Sequence, residues 1–322
     1  MNADEKLQGS IRDGSNVGTK RNQWFLGYLR SSAFICGSIA SCISSSSAAE
    51  ISLKDDLGRT VEMAAPAKRI VTLAPFLTEL VFTAGAGDRV VGVSAFSDYP
   101  PQAKKLPQVS SAVSWSLEEI AALNPDLVLA WRDNMRVQDV SRLSSFGIAV
   151  YVADARNFED VPRALEAIGR LVGRDTSAAI GEYRDKLERL RAQYASKPKV
   201  TALLEIWHSP LTTIAGRHFM NEALEICGAR NVFADLSSVA PVVGWEEVIV
   251  RDPDVIVGIN SAGSEKDFRA AWSERATLGA VMKGHLVYAD ADRLQRLTAR
   301  TPDGIASLCA AIDRVRPRAP AR

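Results

Sequence analysis

The chain has 322 residues, 47% apolar and 24% charged, which is long enough for two cores and has the make-up of a folded body rather than a disordered or fibrous one. Its formal net charge is +1, and residues 50–322 alone carry 34 basic against 35 acidic side chains. Such neutrality argues against nucleic acid as a partner.

Residues 1–49 differ in kind from the rest. A basic stretch, "KRNQWFLGYLR", leads to the weakly apolar "SSAFICGSIASCI" and then to "SSSSAAE". The apolar run is too short for a stable membrane span and reads as a secretory leader cleaved after Ala49. "IASC" ending at Cys42 also resembles a lipobox, which would put a lipid on Cys42. A third reading, a misassigned start, stays open because Met1–Gly18 is a long polar head. Export would place the mature chain in an oxidising compartment. Its two cysteines, Cys227 and Cys309, are then expected to be bridged, with two separately buried thiols as the alternative.

From residue 69 onward short β-branched runs alternate with helical stretches. "RIVTLA", "RVVGVS", "LVLAW" and "IAVYVAD" occupy the first half; "KVTALLEIW", "NVFAD", "VIVGIN" and "LVYADA" follow after residue 199. That alternation predicts parallel βαβ layers.

Two motifs recur in the same order in each half. "EEIAALNPDLVL" from Glu118 returns as "EEVIVRDPDVIV" from Glu246, 128 positions later. "ELVFTAGAGDRV" from Glu79 returns as "EALEICGARNVF" from Glu222, at an offset of 143. Gly85 and Gly228 each stand six residues after their glutamate, where a helix ending in a left-handed residue needs glycine. The pair of echoes indicates a diverged duplication.

Between the halves lies "DTSAAIGEYRDKLERLRAQYASKP", with Asp175 as a cap and Pro198 as a stop. Ile180, Tyr183, Leu187, Leu190 and Tyr194 form one narrow apolar stripe, and the helix would be about 30 Å long. The expected fold is therefore α/β, with two three-layer lobes of mainly parallel sheet joined by one long rigid helix, and a ligand cleft between the lobes. The expected boundaries are 1–49 leader, 50–173 first lobe, 174–197 interlobe helix and 198–322 second lobe.

The sequence has no G-x-G-x-x-G after a strand, no Walker loop, no G-x-S-x-G elbow and no H-E-x-x-H. His208, His218 and His285 are scattered, so no metal site and no cofactor are expected. An exported hydrolase would need a nucleophile and a base in the cleft, for which Ser209 beside His208 is the local candidate.

Aromatic rings cluster at segment ends. Phe96 and Tyr99 follow "RVVGVS"; Trp131 and Trp207 end strands; Trp115 and Trp245 precede the two glutamate helices. Ligands of open α/β sheets collect beyond the carboxyl ends of strands, so these rings are expected to border the gap between lobes. In "SLEE", Ser116 and Glu119 spell a capping box. Glu118 and its counterpart Glu246 are then left as exposed negative posts able to meet a two-fold-symmetric basic partner.

"VTLAPFLTEL", "FSDYPPQA", "SLEEIAALNPDLVLAW", "ALEICGARNVF" and the tail from Asp292 together resemble the periplasmic cobalamin-binding proteins of ABC importers, over residues 68 to about 313. Siderophore- and haem-binding relatives of this helical-backbone class share the general pattern. "SDYPPQA" and "PDLVLAW" are narrower to the cobalamin branch. The resemblance implies a non-enzymatic, monomeric binding protein that holds a corrinoid between its lobes and docks on a permease dimer through Glu118 and Glu246. It places Phe96, Trp131, Asp292 and Arg296 against the ligand, Trp207 near it, and Cys227 and Cys309 in a bridge; Phe76, Trp115 and Trp245 are added as ligand-binding candidates. The family's tryptophans six residues before each docking glutamate are here Ala112 and Ala240. Trp115 and Trp245 would substitute for them, or the corrinoid would differ. Asp292 and Arg296, four apart, would pair with each other or hold ligand amides or phosphate.

Overall fold

The computed structural model describes residues 50–109, 115–259 and 263–316, so the leader, Cys42 and Ala112 lie outside the described residues. Strands β1 (Ile51–Lys54) and β2 (Thr60–Met63) form an antiparallel hairpin. There follow β3 (Ile70–Thr72), α1 (Pro75–Thr83), β4 (Val90–Val93), α2 (Leu117–Ala122), β5 (Leu127–Trp131), α3 (Val137–Ser145), β6 (Ala149–Ala153) and α4 (Asp160–Val172). The four strands after the hairpin make a wholly parallel sheet in the order β4-β3-β5-β6. Both its faces are covered, and alternate residues point to opposite sides as the pleat requires. Ile70, Leu127, Leu129 and Tyr151 meet α1 and α4, whereas Val71, Val128, Ala130 and Val150 meet α2 and α3.

Helix α5 (Ser177–Tyr194) connects this sheet to the second. The second half contains β7 (Val200–Trp207), β8 (Thr212–Thr213), α6 (Phe219–Ile226), β9 (Ala229–Asn231), α7 (Trp245–Arg251), β10 (Val255–Gly258), α8 (Glu265–Ser273), α9 (Gly279–Met282), β11 (Leu286–Tyr288), α10 (Ala291–Leu294) and α11 (Thr301–Val315). Its parallel order is β9-β7-β10-β11, with β8 added antiparallel to the carboxyl end of β7. The first sheet's order maps onto it strand for strand. One apolar core runs through both lobes, and the α5 stripe Tyr183, Leu187, Leu190 and Tyr194 is buried in it.

The repeated x-Pro-Asp has the same job twice. Asn124 and Asp252 end α2 and α7 with left-handed backbones, at φ of 46° and 35°. Two residues later Asp126 accepts bonds from the Lys68 and Arg69 amides at 2.8 and 3.0 Å, at the start of β3. Asp254 likewise accepts from the amide and hydroxyl of Thr201 at 2.8 Å, at the start of β7. Each aspartate thus clips its strand to the neighbouring one and sets the parallel register. Gly85 and Gly228 are left-handed, at φ of 72° and 67°, directly beyond α1 and α6. Cys227 and Cys309 form a disulfide that joins the end of α6 to α11.

Several local expectations need correction. "NVFAD" is not a strand: β9 ends at Asn231, whose side-chain oxygen accepts the Phe233 amide and turns the chain. The α5 cap residue is Thr176, with Asp175 one place earlier accepting the Ser177 amide, and the helix ends at Tyr194 rather than at Pro198. Ser116 caps α2 by accepting the Glu119 amide, but the reciprocal half of the box is absent because the Ser116 amide already bonds the Val109 carbonyl.

Replacing Asp126 or Asp254 by alanine removes a charged acceptor of two bonds and should lower stability by about 1–3 kcal/mol in denaturant titrations. Unchanged midpoints in both variants would show that the clip is incidental.

Candidate ligand-binding cleft

The carboxyl ends of β3, β5 and β6 open toward the second lobe, and there the two lobes enclose a cavity of about 450 Å³. The first lobe contributes Phe76, Trp131 and Arg156; the second contributes Arg217, His218, Phe219 and Arg296. Phe76 follows Pro75, which starts α1 immediately after β3, so the ring is set by the strand-to-helix turn. It meets Trp131 edge to face at 6.1 Å and 85°. A larger hollow of about 610 Å³ lies beside β2 at the amino ends of β5 and β6. It has no wall from the second lobe, and the physical preference for strand carboxyl ends favours the smaller, interlobe cavity.

Beside the cavity a cluster of charges joins the lobes. Glu79 on α1 is only 3% exposed. Arg300 grips it with two bonds of 2.8 Å, and Arg296 reaches the same carboxylate at 3.3 Å. Arg296 also bonds Asp98 at 2.8 Å and Asp292 at 3.0 Å, while the Arg300 guanidinium lies 3.6 Å from the centre of the Tyr99 ring. Burial pulls the Arg296 guanidinium down, but the Asp98 bond and the surrounding carboxylates outweigh it and hold it above its ordinary range. Burial raises the Asp98 carboxyl, and the Arg296 bond and charge more than reverse that effect.

Of the residues singled out in the sequence, Phe76, Trp131 and Arg296 converge on the cavity wall. Asp292 is exposed and takes up one edge of Arg296. Phe96 is not in the wall; it stands 66% exposed on the loop that carries Asp98, with a left-handed backbone at φ 62°. Such a conformation is uncommon for a bulky residue and holds the ring out from the surface. Trp207 is 48% exposed at the end of β7 and donates to the Ser209 carbonyl. Trp115 and Trp245 are half-buried and pack on the sheet faces away from the shared core: Trp115 against the apolar cluster that includes Ile120 and Val140, Trp245 with Trp272 and His208. Neither lines the cavity. Glu118 and Glu246 are exposed in the first turns of α2 and α7, and neither makes an ion pair among the described residues.

Sequence reasoning missed Glu79, Arg156, Arg217, His218 and Phe219. A signal existed for Glu79, a carboxylate between Leu77 and Leu80 on the apolar face of α1. His218 caps α6 by accepting the Met220 amide at its Nδ1, 3.2 Å away, and stacks on Phe219 at 4.3 Å. His208, by contrast, sits 3.4 Å from the buried Glu205, to which Trp272 also donates. Burial raises the Glu205 carboxyl above its usual range, and the Trp272 bond and the His208 charge offset that only in part.

Burial, helped by the nearby Arg156 charge, lowers the His218 pKa from 6.5 to about 4. The unfolded chain therefore binds more protons between those values, so His218 contributes stability that is full above about pH 6.5 and falls away as pH drops toward 4. His218→Asn keeps an acceptor for the helix cap and should flatten the melting temperature across that window. An identical slope in wild type and variant would mean that His218 does not titrate as described.

The profile of the family described as periplasmic binding protein matches residues 70–292. A vitamin B12-binding protein of Vibrio campbellii is 34% identical over 256 residues, 78% of this chain and 91% of the relative. The crystal structure of the periplasmic vitamin B12-binding protein of Vibrio cholerae superposes with a TM-score of 0.69 at 32% identity, covering 78% of this chain and 98% of that one. A periplasmic haem-binding protein of Pseudomonas aeruginosa gives 0.68 at 26% identity, with coverage of 78% and 94%. The two-lobe architecture, the interlobe cavity and these likenesses agree, and the chain belongs to the periplasmic binding protein family.

Proposed function

We propose that this protein captures a corrinoid of the cobalamin class between its lobes and hands it to the permease dimer of an ABC importer. The observation that carries the reading is the interlobe cavity, in which the Phe76–Trp131 pair faces the Arg296 side of the second lobe. Cobalamin is a rigid macrocycle with apolar faces and a rim of amides, and aromatic walls with a few fixed polar groups suit it without a metal-ligating side chain. The cavity is smaller than a whole corrinoid. In this reading it takes one part of the ligand, and the exposed rings of Phe96 and Trp207 receive more of it. The relatives from Vibrio support cobalamin; the haem-binding relative supports haem as the second reading. His208 and Ser209 do not line the cavity, which weighs against a hydrolase.

In the same reading residues 1–49 export the chain to the periplasm, with cleavage near Ala49 or a lipid on Cys42. Residues 50–173 and 198–322 act as lobes about the 174–197 connection in a monomer. Glu118 and Glu246 then meet arginines of the permease. They stand on helices that precede equivalent strands, one in each lobe, as docking on a symmetric dimer requires.

Titration with cyanocobalamin should change tryptophan fluorescence and raise the melting temperature; a response to haem with none to cyanocobalamin would reverse the order of the two readings. A Glu118→Lys, Glu246→Lys double variant should bind ligand within about twofold of wild type while uptake in cells is lost. Retained uptake would remove both residues from the docking role.

A further inference from the structure

The cavity wall contains three guanidinium groups and no carboxylate. Arg156 is already bonded to Asp133 and Asp154, and Arg296 to Asp98, Asp292 and Glu79. Arg217 differs from both: it makes no ion pair among the described residues and stands exposed at the second-lobe side of the wall.

The turn that carries Arg217 is held firmly. The Gly216 carbonyl accepts from the His218 amide at 3.1 Å and from the Asn221 side chain at 2.6 Å. Asn221 in turn accepts at 2.8 Å from Asn231, which is buried and also donates to the Ile214 carbonyl. Gly216 is left-handed at φ 58°, and a Cβ there would stand 3.1 Å from the Leu236 carbonyl oxygen. A buried polar network and an obligatory glycine therefore fix the backbone on both sides of one unpaired cation. Next to it His218 is kept neutral, so it adds no second charge and presents an uncharged ring stacked on Phe219.

We infer that Arg217 is a specificity-determining residue that receives an anionic oxygen group of the ligand, a phosphodiester or a free carboxylate on the macrocycle's edge. The inference rests on the corrinoid reading above and adds the charge of the group recognised. A guanidinium pairs with either anion through two parallel charge-assisted bonds, whereas a neutral amide offers it a single oxygen. With Arg156 and Arg296 satisfied, Arg217 is the cation in the wall whose pairing the ligand must supply.

Three corrinoids separate the possibilities: cyanocobalamin carries the phosphodiester, cobyric acid a free carboxylate, and cobinamide neither. Dissociation constants are measured for wild type, Arg217→Ala and Arg217→Lys. The alanine variant should lose about tenfold in affinity for at least one anionic ligand, lysine should restore part of the loss, and cobinamide should move less than twofold. Loss confined to cyanocobalamin assigns the phosphodiester; loss confined to cobyric acid assigns the carboxylate. The same change for all three ligands, or no change for any, overturns the role of Arg217 while leaving corrinoid binding intact. Failure of wild type to bind any of the three removes the corrinoid reading and this inference with it.

Discussion

A carboxylate held out of water is costly unless cations surround it, and Glu79 is buried with two guanidinium groups upon it. Its partners, Arg296 and Arg300, come from the segment after β11 and not from its own lobe. Leaving Glu79 unpaired would cost several kcal/mol. The lobes are thereby held together at this point, and the shared apolar core along α5 holds them at a second. Between these two attachments, relative motion of the lobes is limited. The cavity is accordingly formed before any ligand arrives, which lowers the ordering cost of binding.

The two halves share more than a fold class. Strand orders β4-β3-β5-β6 and β9-β7-β10-β11 coincide, the left-handed residues Asn124 and Asp252 coincide, and so do the clips made by Asp126 and Asp254. One difference lies where the halves meet each other. Glu79 is buried among arginines of the other lobe, whereas its counterpart Glu222 pairs with Arg191 on α5. The two halves thus share their strand-to-strand fastenings and differ in what this glutamate pairs with.

Much of the architecture was legible because it depends on local rules. Buried parallel strands read as β-branched runs, the α5 stripe repeats every three or four residues, and Gly85 and Gly228 mark helix ends. "NVFAD" was misread because its composition is strand-like, while the Asn231 side chain bonds the backbone two residues on and turns it. The short β1–β2 hairpin and the two-residue β8 passed unnoticed, being too brief for periodicity to register. The cavity was half legible. Trp131 ends β5 and Phe76 opens α1 just beyond β3, where position marks them, but Glu79 and Arg296 are 217 residues apart and meet only through the packing of two lobes. Arg217 and His218 lay in a segment with no periodic signal, fixed by side-chain bonds that no spacing announces. Trp115 and Trp245 had the right address and a different orientation, since a residue at a helix start can face either its own sheet or the gap.

The Cys227–Cys309 bridge connects the two pieces of the second lobe that present groups to the cavity. Helix α6 begins beside His218 and Phe219 and ends at Cys227; α11 begins just after Arg300 and contains Cys309. Fastening the back of both helices keeps their front ends in step. Because the tie is covalent, the segments that lead into α6 and α11 and line the cavity do not depend on apolar packing alone to keep their spacing.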